Sequence, residues 1–121
     1  MATGVEIVEA DPQTFDALTF GAKDLLVVVD FWGENCPNCE VFARELPHLL
    51  EELGDVPLRI VKVDAYTHDG LATRFGLHGI PTFLVIRDGK LLGKMSQYRG
   101  RAWWLGVVRD HLPGAQPPAS A

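Results

Sequence analysis

Two kinds of apolar pattern alternate along the chain. LLVVVDF (Leu25 to Phe31) and LRIVKVDA (Leu58 to Ala65) are near-continuous, β-branched runs, as strands buried on both faces require. Val5 to Val8 (VEIV) is shorter and predicts an edge strand. From Pro37 to Leu53, the apolar positions Val41, Phe42, Leu46, Leu49, Leu50 and Leu53 recur at helical spacing. Pro47 falls inside that stretch and predicts a kink, because its ring conflicts with the Ala43 carbonyl. Asp11 predicts a helix cap, with Pro12 in the first helical position and Gly21 closing a helix that runs toward Phe20.

Further along, His68 to Phe75 predicts a short helix ended by Gly76. Thr82 to Ile86 and Lys90 to Met95 flank Asp88-Gly89, a strong hairpin signal. Arg101 to Leu112 is a last amphipathic helix, with Trp103 and Trp104 expected to pack on a sheet with one face exposed. The order β-α-β-α-β-α-β-β-α predicts an α/β fold, a central mixed sheet with helices on both faces. One domain is expected over residues 1–112. Pro113 to Ala121 (PGAQPPASA) has nothing to bury and is expected to be disordered.

Composition narrows the function classes. A chain of 121 residues with 47% apolar and 22% charged residues can bury one core. The net charge of −5 argues against nucleic-acid partners, which ask for a basic face. MATGVEIVEADPQ has neither a basic n-region nor an apolar h-region, and no apolar run is long enough to span a bilayer. The expected compartment is the cytoplasm, where thiols are kept reduced. The expected chain is a monomer with no membrane partner.

The chemistry concentrates in Cys36-Pro37-Asn38-Cys39, which holds both cysteines of the chain. C-x-x-C after a buried strand and at the start of a helix reads as a redox dithiol. Spacing of i and i+3 brings both thiols to one helix face, within reach of a disulfide. Cys36 sits at the helix start, where free N–H groups favour a thiolate. It is therefore expected to be the nucleophile and the more exposed thiol. Pro37 suits the first helical position, and Asn38 and Cys39 can both offer backbone N–H groups to the Cys36 sulfur. Asn38 has an N–H that a proline there would lack. The extra donor predicts a stabilised thiolate and a more oxidising couple. Half of a zinc site is the competing reading, but no second C-x-x-C and no H-x₃₋₅-H pair completes it. No metal and no organic cofactor is expected.

Asp30 is a carboxylate inside an apolar run. It reads either as a proton carrier for the buried thiol or as a strand-end cap. Lys62 either pairs with Asp30 or snorkels from an edge. Trp32 either joins the core or lines the site. In Ile80-Pro81-Thr82, Pro81 opens a strand, as an ordinary proline or through a cis bond.

VVVDFWGENCPNC resembles the thioredoxin active-site stretch V-D-F-W-A-x-W-C-G-P-C, and GLHGIPTFLVIRDGK resembles the family's G-I-x-x-I-P-T-x-x-x-F-x-x-G segment. The resemblance covers about Val5 to Leu112. It implies a thioredoxin fold, with Cys36 attacking and Cys39 resolving. It also implies a buried acid at Asp30 with Lys62 beside it, and a cis Pro81 facing the dithiol. Ile80 would then offer backbone groups to an extended substrate segment. The chain makes four departures from the family pattern. Asn35 replaces Trp, Pro37-Asn38 replaces Gly-Pro, Pro47 lies about one helical turn late, and Gln97-Tyr98 replaces a groove-flattening Gly-Ala. Asn35, Pro37, Asn38, Gln97 and Tyr98 are therefore expected at an altered substrate rim.

The expected activity is reduction of protein disulfides by dithiol exchange, with electrons supplied by a thioredoxin reductase or a similar donor. A glutathione-linked reductase, a more oxidising oxidoreductase and a non-enzymatic binding scaffold are the alternatives.

Overall fold

The computed structural model describes residues 4–114. The expected disordered tail therefore lies outside the described residues, apart from a turn at Pro113 and Gly114. The elements follow the predicted order: β1 (Val5–Glu9), α1 (Phe15–Leu18), β2 (Leu26–Trp32), α2 (Pro37–Leu53), β3 (Leu58–Asp64), α3 (Asp69–Arg74), β4 (Thr82–Arg87), β5 (Lys90–Ser96) and α4 (Arg101–His111). They form one five-stranded sheet of order β1-β3-β2-β4-β5. β1 and β2 run parallel to β3, while β4 is antiparallel to both β2 and β5. The continuous apolar run of β2 is thus explained by its place at the centre of the sheet.

Strand alternation sorts the core into two layers. Leu26 and Val28 of β2, Leu58 and Ile60 of β3, and Phe83 and Val85 of β4 face α2 and α4. Phe42 lies at the middle of this layer, with ring centroids 4.8 Å from Phe83, 5.1 Å from Tyr98 and 5.3 Å from Trp104. Val27, Val29 and Phe31, with Val61, Val63, Leu84 and Ile86, face the other layer, where Phe15 of α1 and Leu71 of α3 pack. Extending the first alternation two residues past Val28 and Ile60 places Asp30 and Lys62 on the α2 face, as register partners on adjacent strands.

Two local expectations change. The first helix is a single turn, Phe15–Leu18, rather than one opening at Pro12. Asp11 does cap, but it caps a preceding turn: its Oδ1 accepts the N–H groups of Gln13 and Thr14. Trp104 is fully buried, whereas Trp103 alone keeps partial exposure, beside the Arg99 guanidinium. Pro47 sits within one continuous helix. Pro47 and Ala43 both lie on its exposed side, where water can satisfy the Ala43 carbonyl that proline leaves without a donor. The Asp88-Gly89 turn has φ of +50° and +79°, the left-handed pair that a two-residue hairpin asks for.

Candidate active site

β2 delivers the chain to the dithiol. After Trp32 it passes through buried Gly33 and then Asn35, which holds φ at +56°. Asparagine tolerates this left-handed conformation, which a bulky side chain resists. Cys36 is the N-cap of α2, with extended backbone (φ −118°, ψ 97°), and Pro37 is the first helical residue. The Cys39 N–H donates to Cys36 Sγ at 3.2 Å. The helix N-terminus thus directs a free backbone donor at this sulfur, as thiolate stabilisation requires. The two cysteines form a disulfide with Cα atoms 5.2 Å apart.

In this disulfide form Cys36 is 8% exposed and Cys39 7%. The expected difference in exposure is therefore absent here, because the bond holds both sulfurs in the same first turn. The expected backbone donation from Asn38 to the Cys36 sulfur is also absent among the described residues. Instead the Asn38 side chain leaves the helix: Nδ2 donates to Gln97 Oε1 at 3.0 Å and to the Tyr98 carbonyl at 3.3 Å.

Behind the dithiol, Asp30 is 2% exposed, and Lys62 Nζ donates to its Oδ2 at 3.1 Å. β3 is an interior strand, so Lys62 pairs with Asp30 rather than snorkelling from an edge. Asp30 Oδ1 is buried without a hydrogen-bond partner among the described residues. Burial pushes the Asp30 carboxyl above the ordinary carboxylate range, while the charge and hydrogen bond of Lys62 pull it down. The Lys62 ammonium also lies 5.8 Å from the centre of the Trp32 ring. Trp32, Gly33, Cys39 and Lys62 line a cleft of about 300 Å³, so Trp32 belongs to the site rather than the core.

The Ile80–Pro81 peptide bond is cis. Gln97 N–H donates to the Pro81 carbonyl at 2.9 Å. A Cβ on Gly33 would lie 2.5 Å from the Tyr66 ring and 2.8 Å from Ile80 Cδ1, so glycine lets these side chains close over the backbone. Tyr66 is 64% exposed. Sequence reading missed this ring, because no periodicity marks a loop aromatic that folds back.

Tyr98 is a correction. Its side chain is buried and not on the rim: the ring packs edge-on against Phe42, and the hydroxyl donates to Glu45. Burial and the Glu45 hydrogen bond raise the phenol well above the ordinary tyrosine range. Only its carbonyl reaches the site. Gln97 and Pro37 are exposed, and Asn35 is exposed just before Cys36. Among the described residues no group of three or more His, Cys, Asp or Glu is placed to hold a metal ion.

A family model described as Thioredoxin matches residues 6–103. Thioredoxin of Bacillus subtilis is 34% identical over 106 residues, covering 88% of this chain and 98% of that protein. The chain belongs to the thioredoxin family. Thioredoxin of Listeria monocytogenes is 36% identical over 106 residues, covering 88% of this chain and 99% of its own length. Among solved structures, a mutant thioredoxin from Halobacterium salinarum superposes with a TM-score of 0.80 at 19% identity, over 96% of this chain and 99% of its own. Reduced Schistosoma mansoni thioredoxin pre-protein gives 0.74 at 26% identity, over 88% of this chain and 98% of its own. Family and paired cysteines together make this thioredoxin-family chain a protein thiol–disulfide oxidoreductase.

Proposed function

We propose that the protein works as a reductant of protein disulfides, with Cys36 attacking and Cys39 resolving. The observation that carries this is the Cys39 N–H directed at Cys36 Sγ, at the N-cap of a 17-residue helix. In the reduced protein, Cys36 thiolate attacks one sulfur of the substrate disulfide. A mixed disulfide forms, and the first substrate thiolate leaves and takes up a proton. Cys39 thiolate then attacks Cys36 Sγ, releasing the second substrate thiolate, which is also protonated. Two electrons and two protons pass to the substrate, and Cys36–Cys39 is left oxidised.

Asp30 accepts the Cys39 proton in the second step, with Lys62 holding the carboxyl in place. Its support is a carboxyl of raised pKa on the α2 face, and a cleft joining Cys39 to Lys62 that is wide enough for water. Ile80 docks an extended substrate segment. Among the described residues its backbone N–H and carbonyl make no hydrogen bond, which leaves both available for strand addition. A thioredoxin reductase or a similar thiol donor resets the couple, and no bound cofactor takes part. The setting is the cytoplasm, and the working unit is a monomer. No helix is long and apolar enough to cross a membrane among the described residues.

The test is one turnover of the reduced protein against insulin, counted by mass spectrometry and thiol titration. Two substrate thiols are expected for each Cys36–Cys39 disulfide formed. Substrate thiols appearing while Cys36 and Cys39 stay reduced would contradict the proposal.

A further inference from the structure

Two of the four family departures meet in space. Asn38 lies between the cysteines, and Gln97 and Tyr98 follow β5, 59 and 60 residues later. Both contacts use Asn38 Nδ2, so its two hydrogens are engaged. Gln97 is held twice more. Its backbone N–H is bound to the Pro81 carbonyl, and its φ of +72° turns the chain out of β5. Gln97 therefore bridges the cis-proline segment and the helix that carries the dithiol.

This bonding leaves two groups over. Asn38 Oδ1 is an acceptor and Gln97 Nε2 a donor, and neither has a hydrogen-bond partner among the described residues. Gln97 is exposed and Asn38 half-buried, so both groups sit at the rim. Carried on two amides joined by a hydrogen bond, this acceptor and donor suit the N–H and carbonyl of a peptide backbone. Glycine and alanine at the Gln97 and Tyr98 positions, as in the family pattern, could supply no such side-chain donor. A proline at Asn38 could supply no such acceptor.

We propose that Asn38 and Gln97 form a second backbone-reading clamp, on the flank of the dithiol beside Gln97. It selects disulfides embedded in extended peptide over disulfides that carry no peptide groups. The clamp lies beside the Ile80 segment, so the substrate strand would be held from two sides. Asn38 and Gln97 set specificity and take no part in the sulfur chemistry. This inference rests on the exchange reading above.

The experiment compares kcat/KM for a disulfide-linked pair of extended peptides with that for bis(2-hydroxyethyl) disulfide. Gln97→Glu keeps an oxygen to accept from Asn38 Nδ2 but replaces the outward donor by an acceptor. Gln97→Gly suits the positive φ and removes the side chain altogether. In both variants the peptide-to-small-disulfide ratio is expected to fall about fivefold, the worth of one hydrogen bond, and the fall should lie in KM for the peptide. A ratio unchanged in both variants would overturn the clamp. So would a fall in the ratio that lies in kcat for the peptide with its KM unchanged, since that would place Gln97 on the thiol chemistry. A parent protein inert toward both disulfides would instead overturn the exchange reading itself.

Discussion

Cys39→Ser is expected to turn the protein into a trap. Cys36 would still attack a substrate disulfide, but nothing would follow to release the adduct. Turnover should fall at least ~10³-fold, and a stable mixed disulfide through Cys36 should accumulate. Cys36→Ser should abolish turnover equally and leave no adduct. This asymmetry follows from position alone. Cys36 is the N-cap whose sulfur receives the Cys39 N–H, and Cys39 is carried into the first turn. The two have nearly equal exposure in the disulfide form, so access does not distinguish them. Non-reducing electrophoresis with mass mapping of the adduct reads the outcome. An adduct on Cys39 in Cys36→Ser, with none on Cys36 in Cys39→Ser, would reverse the assignment.

The second large effect is expected at Asp30, in opposite directions for stability and rate. The native state holds this carboxyl's proton to higher pH than the unfolded chain, where aspartate titrates near ~3.9. Between the unfolded and the folded pKa the native state binds more protons, so unfolding free energy falls as pH rises. Above the folded pKa the whole penalty persists. Asp30→Asn cannot ionise and escapes it. Lys62 is left without its partner, but at 24% side-chain exposure its ammonium can turn to water. The variant should therefore be more stable at neutral pH by about 1–3 kcal/mol. The gain should shrink to nothing below pH ~3.9. Urea unfolding across pH checks this, and a less stable variant at neutral pH would contradict it. In stopped-flow kinetics the first exchange step should be unaffected, while resolution by Cys39 slows about 10²-fold. Unchanged resolution would remove Asp30 from the mechanism.

Much of this was legible in the sequence because strand alternation is rigid. Once LLVVVDF is a central strand, Asp30 must share a face with Leu26 and Val28, and Lys62 must follow Ile60 onto the same face. The dithiol at a helix start was equally plain, since Pro37 suits the first helical position. What escaped depended on contacts distant in sequence or on broken periodicity. Gln97 takes a left-handed φ at the end of β5, which breaks the alternation that would have assigned Tyr98 a face. Tyr98 then turns inward to Phe42 and Glu45. Asn38 reads locally as a backbone donor to sulfur, yet its side chain finds partners that only the folded sheet brings near. At Asp11, a side chain that satisfies two nearby N–H groups favoured a turn where the spacing suggested a longer helix.

The central claim is that Cys36–Cys39 is a working reductant couple, and its reduction potential tests that most directly. Equilibration with glutathione buffers over a wide ratio, read by alkylation and mass spectrometry, gives the value. The Cys39 N–H directed at Cys36 Sγ at the helix N-terminus favours the thiolate form. The expected potential lies above ~−270 mV, toward ~−230 to −200 mV. A value below ~−300 mV would mark a structural bond, and one near ~−120 mV a strong oxidant; either would contradict a reductant of protein disulfides.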